Sequence, residues 1–326
     1  MWTQSFLHVD DATEAPKPVK GYLTEVTDIA DKTRISVVNV EANVADAALS
    51  SSGVIYSSKE GICYVVTDCS VLLDGAEVAI RFDSGKKIPA KVIGTDPGTG
   101  IGVVACEPGF TTNAVLLGDS DLVNDGEYVV ALGGRKSTTA SGEISFGVVS
   151  DSGMYRMKSG KEWYADIFET DAKVNHDNVG GVLTNINGEM IGMLVNDPAD
   201  SEDDMGYALT VNELKLVSQE LIKEGSVTRG SLGAVVRSVN DMKSYEKNEA
   251  GLDLSQEEGV YITSIAPSAA CEGILQEGDM ITKINTTVIS DSGTYRELLY
   301  TLNAGDSVTV TYLRDGEEKT STVAVK

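Results

Sequence analysis

Few side chains in this sequence can do covalent or metal chemistry. Among 326 residues there are two histidines, His8 and His176, and four cysteines, Cys63, Cys69, Cys106 and Cys271. A thiolate beside an imidazole makes a nucleophile–base pair, and Cys69 with His176 is the pairing on offer. No third group that would orient the base accompanies it, and the simpler reading is a loop histidine and a small buried thiol. Zinc needs closely spaced Cys and His ligands. No two of these cysteines form a CxxC pair, so neither a metal nor another cofactor is expected. The thiols read as buried and free, and spacing alone leaves a disulfide among them open.

Bulk composition narrows the function classes. Apolar residues make up 41% and charged residues 23%, as in a globular protein. The length suits two or three domains. With 50 acidic and 26 basic side chains the net charge is −24, which repels nucleic acid and anionic membranes and keeps the chain dispersed. There is no run of about 20 apolar residues that could span a bilayer. Residues 1–33 are polar, acidic and proline-containing. They read as a linker or loosely docked arm, with membrane attachment only through an anchor upstream of it.

The elements that must carry any site are mostly strands. From Arg34 the chain gives ISVVNVEANV, SGVIYSS, GICYVVTDC, AEVAIRFDSG, KKIPAKVIGTD and IGVVACEPG in succession. These are β-branched runs bounded by Gly, Asp or Ser at intervals of about 8–12 residues, the pattern of sandwiches and barrels. A second set follows in GEYVVALGG, GEISFGVVSD, EWYADIFETDA, GGVLTNINGEMIGMLVN and MGYALTV, with Asn187-Gly188 as a tight turn. Val211, Leu214, Val217, Leu221 and Ile222 then fall at helical spacing, ended by Gly225. The last hundred residues start afresh. A strand in RGSLGAVVRSV leads to a strand and a short helix opened by Pro267-Ser268. A further strand follows, then a helix with Tyr295, Leu298, Leu299 and Leu302 on one side, and a hairpin turning at Asp315-Gly316.

Three segments carry a resemblance. FETDAKVNHDNVGGVLTNINGEMIGMLV (168–195), LGDSDLVNDGEYVVALGG (117–134) and AKVIGTDPGTGIGVVAC (90–106) resemble, in order and spacing, the signature segments of HtrA/DegP-type serine proteases. The likeness runs from about residue 34 to the end. It implies a mostly β protein with a trypsin-like double six-stranded barrel over 34–222 and a PDZ domain over 223–326. It also places the catalytic positions. The nucleophile serine is replaced by Val179, the base histidine by Ser70 in TDCSVL, and the orienting aspartate by Gly100 in DPGTG. The oxyanion-hole positions are Val179 and Asp177, the latter putting a carboxylate where an anion should be welcomed. An isopropyl group cannot attack a carbonyl, and a hydroxyl cannot serve as a base near neutrality. Loss of a key triad member lowers turnover by about 10⁶, so the expectation is a pseudoprotease.

The PDZ resemblance implies a positive role. Gly230, Ser231, Leu232 and Gly233 resemble the loop that grips a peptide carboxylate, with Ala234 and Val235 starting the strand that receives the peptide. Tyr295, Leu298 and Leu299 would face the peptide's last side chain. The expected function is binding of peptide C-termini or unfolded segments without cleavage. The alternatives are an active hydrolase with a rebuilt site, or a regulatory partner of an active paralogue. Family habit implies an extracytoplasmic location and a homo-oligomer, often a trimer.

Overall fold

The computed structural model describes residues 22–45, 47–135, 142–157, 164–196 and 205–326. His8 and most of the expected N-terminal arm lie outside the described residues. Strands β1 (Val37–Val44), β2 (Ala47–Lys59), β3 (Ile62–Asp68), β4 (Glu77–Arg81), β5 (Lys87–Asp96) and β6 (Ile101–Cys106) close into one barrel, in the order 1-2-3-6-5-4. Strands β7 (Tyr128–Leu132), β8 (Ile144–Met157), β9 (Tyr164–Thr170), β10 (Val182–Asn185), β11 (Met190–Val195) and β12 (Gly206–Thr210) close into a second, in the order 10-11-12-9-8-7.

Neighbouring residues in these strands serve different cores. Side chains alternate across a strand. Val38, Ile55, Val65 and Val104 therefore fill the first lumen, and Val129, Leu183 and Leu194 the second. Their chain neighbours Val37, Val54, Val66, Val103, Val130, Val182 and Met193 meet between the barrels. Burial on both faces explains why the sequence shows continuous apolar runs rather than clean alternation. Each fully buried Val, Leu or Ile contributes about 1.5–3 kcal/mol, so the strands hold the barrels shut and hold them to each other.

Helix α2 (Val211–Glu224) seals that junction with Val211, Leu214, Val217 and Leu221. It stops where expected: Gly225 takes a left-handed φ of 78° and its N–H donates to the Leu221 carbonyl at 2.9 Å. The arm expected over 1–33 instead ends in a helix, α1 (Tyr22–Arg34). Ile29 and Ala30 are buried in the same inter-barrel core, with Val26 packed against it. That stripe is narrow and interrupted by Asp28, Asp31 and Lys32, so it is barely visible as a period.

The C-terminal domain is an antiparallel sheet. Its order is β13 (Ala234–Ser238), β14 (Val260–Ile265), β15 (Met280–Ile284), β17 (Ser307–Arg314) and β18 (Glu317–Ala324), and β16 (Thr287–Val288) pairs with β15. Two helices, α3 (Ser244–Glu249) and α4 (Ser292–Leu299), complete it. The β17–β18 turn has Asp315 and Gly316 both at positive φ, a primed hairpin turn as the sequence predicts. The short helix expected after Pro267 does not form. Ser268 sits at φ 62° and Gly273 at φ 74°; these left-handed residues break the segment into successive turns.

Candidate functional site

The site lies where β3, β6 and the loop before β10 meet. After β3 the chain makes one turn of 3₁₀ helix over Cys69–Val71. Asp68 caps it, its carboxylate accepting from the Ser70 N–H at 2.9 Å and the Ser70 hydroxyl at 2.8 Å. Ser70, expected at the base position, is exposed. Gly100, expected at the acid position, accepts a hydrogen bond from the Cys69 N–H at 2.8 Å. The two expected positions are therefore neighbours through backbone, with no side chain at Gly100 to orient anything. The nearby Asp96 carboxylate is committed elsewhere: it accepts from the Thr99 hydroxyl at 2.7 Å and from Arg229 at 2.7 Å.

The loop from Lys173 to Gly181 brings in the third position. Gly180 has φ 80°, and a Cβ there would stand 2.2 Å from the Ser52 carbonyl oxygen and 3.1 Å from the Asp68 nitrogen. Only glycine lets this loop press against the first barrel. Val179, expected at the nucleophile position, is 4% exposed. Its carbonyl accepts from the Ser52 N–H at 2.9 Å and the Ser51 hydroxyl at 2.8 Å.

Both N–H groups expected to form the oxyanion hole point back into their own loop. Val179 N–H donates to the Asn175 carbonyl at 3.1 Å, and Asp177 N–H donates to the Asn175 side-chain oxygen at 2.8 Å. Asn178, fully buried, braces the arrangement: its side chain accepts from the Asn175 N–H at 2.8 Å and donates to the Lys173 carbonyl at 2.9 Å. The Asn175 amide is held in turn by both oxygens of Glu143. Asn175 and Asn178 were not singled out in the sequence, although paired Asn residues in a Gly-rich stretch signal side-chain-to-backbone turns.

His176 departs from its loop outward. Its side chain is 84% exposed and its Nδ1 stands 3.5 Å from the carboxylate of the next residue, Asp177. Cys69 is half-buried in the turn that follows β3.

In the C-terminal domain α4 lies along β13, tied at one end to that strand and at the other to the loop before it. The Ser292 N–H donates to the Ser238 hydroxyl at 2.9 Å, and the Gly230 N–H donates to the Leu299 carbonyl at 3.1 Å. Leu232, Ala234, Val235, Tyr295 and Leu299 are all buried in one cluster, and Leu298 packs at its edge. In the expected carboxylate loop, Ser231 N–H donates to the Lys326 carbonyl at 2.7 Å and Gly233 N–H to the Ser231 hydroxyl at 3.1 Å.

The domains meet through a buried charge cluster that no local sequence pattern announced. Arg296 on α4, 4% exposed, donates to Asp166 of β9, lies 3.2 Å from Asp121, and has its Nε 3.7 Å from Glu213 of α2. The Tyr300 hydroxyl donates to Glu213. Burial first, then the charge of Asp166, push the Glu213 carboxyl up to about 7. Burial opposes the charge of Arg296, but Asp166 and Glu213 more than offset it and hold the guanidinium ionised. Arg229 stands over the Tyr300 ring at 5.5 Å and joins the same seam to Asp96.

These two barrels and this sheet match known families. Residues 51–193 match the trypsin-like peptidase domain and residues 204–325 the PDZ domain. The Serine protease Do-like HtrA of Lactobacillus helveticus is 30% identical over 82% of this chain and 66% of its own length. The chain belongs to the HtrA/DegP-type proteins. Periplasmic serine endoprotease DegP of Escherichia coli K12 is also 30% identical, over 82% of this chain and 55% of its own length. The HtrA-like chain thus spans roughly half to two thirds of these curated relatives. The solved structure "HtrA-type protease AlgW with tripeptide" superposes with a TM-score of 0.62 at 26% identity, over 92% of this chain and 96% of that one. Among the described residues no group of His, Cys, Asp and Glu is placed to hold a metal ion, and no helix is long and apolar enough to cross a membrane.

Proposed function

We propose that this HtrA-like chain binds peptides without cutting them, using the groove between β13 and α4 to take a free C-terminus. The observation that carries the non-cleaving half is the closure of the expected oxyanion donors of Asp177 and Val179 onto Asn175. It adds to the side chains at 70, 100 and 179, which supply neither nucleophile, base nor orienting acid. Preorganised donors aimed at the developing oxyanion are a large part of acyl-transfer catalysis, and here that part is missing together with the triad.

The binding half is supported by the place of β13 at the end of the sheet order, beside α4. A peptide strand added to an edge gains main-chain hydrogen bonds, and its terminal carboxylate finds backbone donors. The DegP relative is named periplasmic, which supports a location outside the cytoplasm for this chain. Trimer formation and pairing with an active paralogue rest on family analogy alone.

The test has two arms. Unfolded casein and a fluorophosphonate serine probe are incubated with the protein; neither cleavage nor labelling is expected. Cleavage that survives repurification and is lost in His176→Ala or Cys69→Ala would establish the rebuilt-site reading in its place. In the second arm, a fluorescent peptide ending in an apolar residue is titrated beside its C-terminal amide. Weakening of at least about tenfold, 1.4 kcal/mol, is expected on amidation. Equal binding of the two forms would remove the carboxylate-capture reading.

A further inference from the structure

Two of the four cysteines face each other. Cys63 on β3 and Cys106 on β6 are direct partners in the antiparallel ladder, and both thiols are reduced and buried. They share the lumen of the first barrel with Val65, Ile80 and Val104. Directly opposed residues in such a ladder have Cα atoms about 4.5–5.5 Å apart. A disulfide accepts Cα separations of about 4.4–6.8 Å, so the backbone already has the spacing the bond requires. The closeness of the two thiols holds Cys63 down and, with burial, raises Cys106. The remaining thiols differ. Cys271 is buried in the PDZ core, where burial pushes it up to about 11, and Cys69 lies beyond the end of β3.

We propose that Cys63 and Cys106 are a disulfide-forming pair, closed by a small-molecule disulfide as the barrel folds. The Cys63 thiolate attacks one sulfur of the reagent, forming a mixed disulfide and releasing one reagent thiolate. The Cys106 thiolate then attacks the Cys63 sulfur, forming the cross-strand bond and releasing the second reagent thiolate, which takes up a proton as the first does. Two protein thiols are oxidised and one reagent disulfide is reduced to two thiols. The bond joins β3 and β6, whose other ends carry the Ser70 and Gly100 positions, so it would fix the frame of the former base and acid. Once formed it lies inside the closed barrel, out of reach of reductants until the barrel opens. The unfolded chain, with β4 and β5 enclosed in the loop, loses conformational freedom.

The experiment refolds the full chain from denaturant in a glutathione buffer dominated by the oxidised form. Remaining thiols are trapped with N-ethylmaleimide in denaturant, and intact mass and peptide maps are read. Two labels instead of four are expected, with one linked peptide pair joining 63 to 106, and a raised unfolding midpoint that dithiothreitol abolishes. The Cys69→Ser/Cys271→Ser variant keeps the pair and should take up no label. Cys63→Ser should show neither linkage nor midpoint shift. Four labels on a chain that has regained its native spectrum, or a linkage through Cys69 or Cys271, would overturn the proposal.

Discussion

Arg296 on the PDZ helix α4 donates to Asp166 inside the second barrel, although the two side chains are only 4% and 6% exposed. A guanidinium so placed serves two buried carboxylates, because Glu213 shares it. Removing one partner of a buried pair is far more damaging than replacing the whole set. Arg296→Met should therefore weaken the docking of the PDZ domain by about 3–5 kcal/mol, while Arg296→Met combined with Asp166→Leu and Glu213→Leu should recover most of it. Limited proteolysis of the segment after α2, together with solution scattering, reads the docking. Equal protection of the wild type and the single variant would show that the cluster does not hold the domains.

Glu213 sets the pH dependence of the same seam. Its carboxyl is raised in the folded chain, to about 7. Between the unfolded carboxylate range and that value, the folded chain binds the extra proton. Its stabilising contribution is complete in acid and is lost as pH rises through about 7. Compared with Glu213→Gln, which cannot ionise, the wild type should lose up to about 3 kcal/mol of stability between pH 5 and pH 8. Denaturant midpoints of both proteins across that range make the comparison, and parallel curves would mean that Glu213 does not titrate there.

The bonds from the Val179 and Asp177 N–H groups to Asn175 predict, under the proposed function, that installing three side chains is not enough. Val179→Ser, Ser70→His and Gly100→Asp together should remain at least about 100-fold less active on casein than the same variant carrying Asn175→Ala and Asp177→Gly, because one oxyanion donor is worth about that much. Equal rates would show that the bonds to Asn175 open without cost.

Gly180 is where the loop before β10 touches the first barrel. Gly180→Ala places a methyl group on the Ser52 carbonyl and holds an L-residue at φ 80°. A loss of about 2–3 kcal/mol is expected, read by denaturant unfolding. A variant as stable as the wild type would mean that the loop can lift away from β2.

Much of this was legible beforehand for physical reasons. Val37-Val38, Val65-Val66 and Val103-Val104 are runs that only a strand buried on both faces requires. Val211, Leu214, Val217 and Leu221 repeat at helical spacing, and Asp315-Gly316 demands a primed turn. What stayed hidden depends on distant partners. Asp166 is a carboxylate in an apolar strand, and its reason, Arg296, lies 130 residues on. The stripe of α1 makes sense only against β1 and β7. Ser268 breaks a helix through a backbone angle that its side chain does not announce.

Helix α4 has two employments. One face of it packs with β13 in the PDZ core, where the proposed peptide groove would lie, and its Arg296 anchors the domain to the barrels. Any ligand that moves α4 must therefore act on the anchor, and thermodynamic linkage makes the effect mutual. If docking weakens a peptide's hold by some factor, the peptide loosens docking by that same factor. Under the proposed function, such a chain would report on what it has bound through the angle at which its two halves are held.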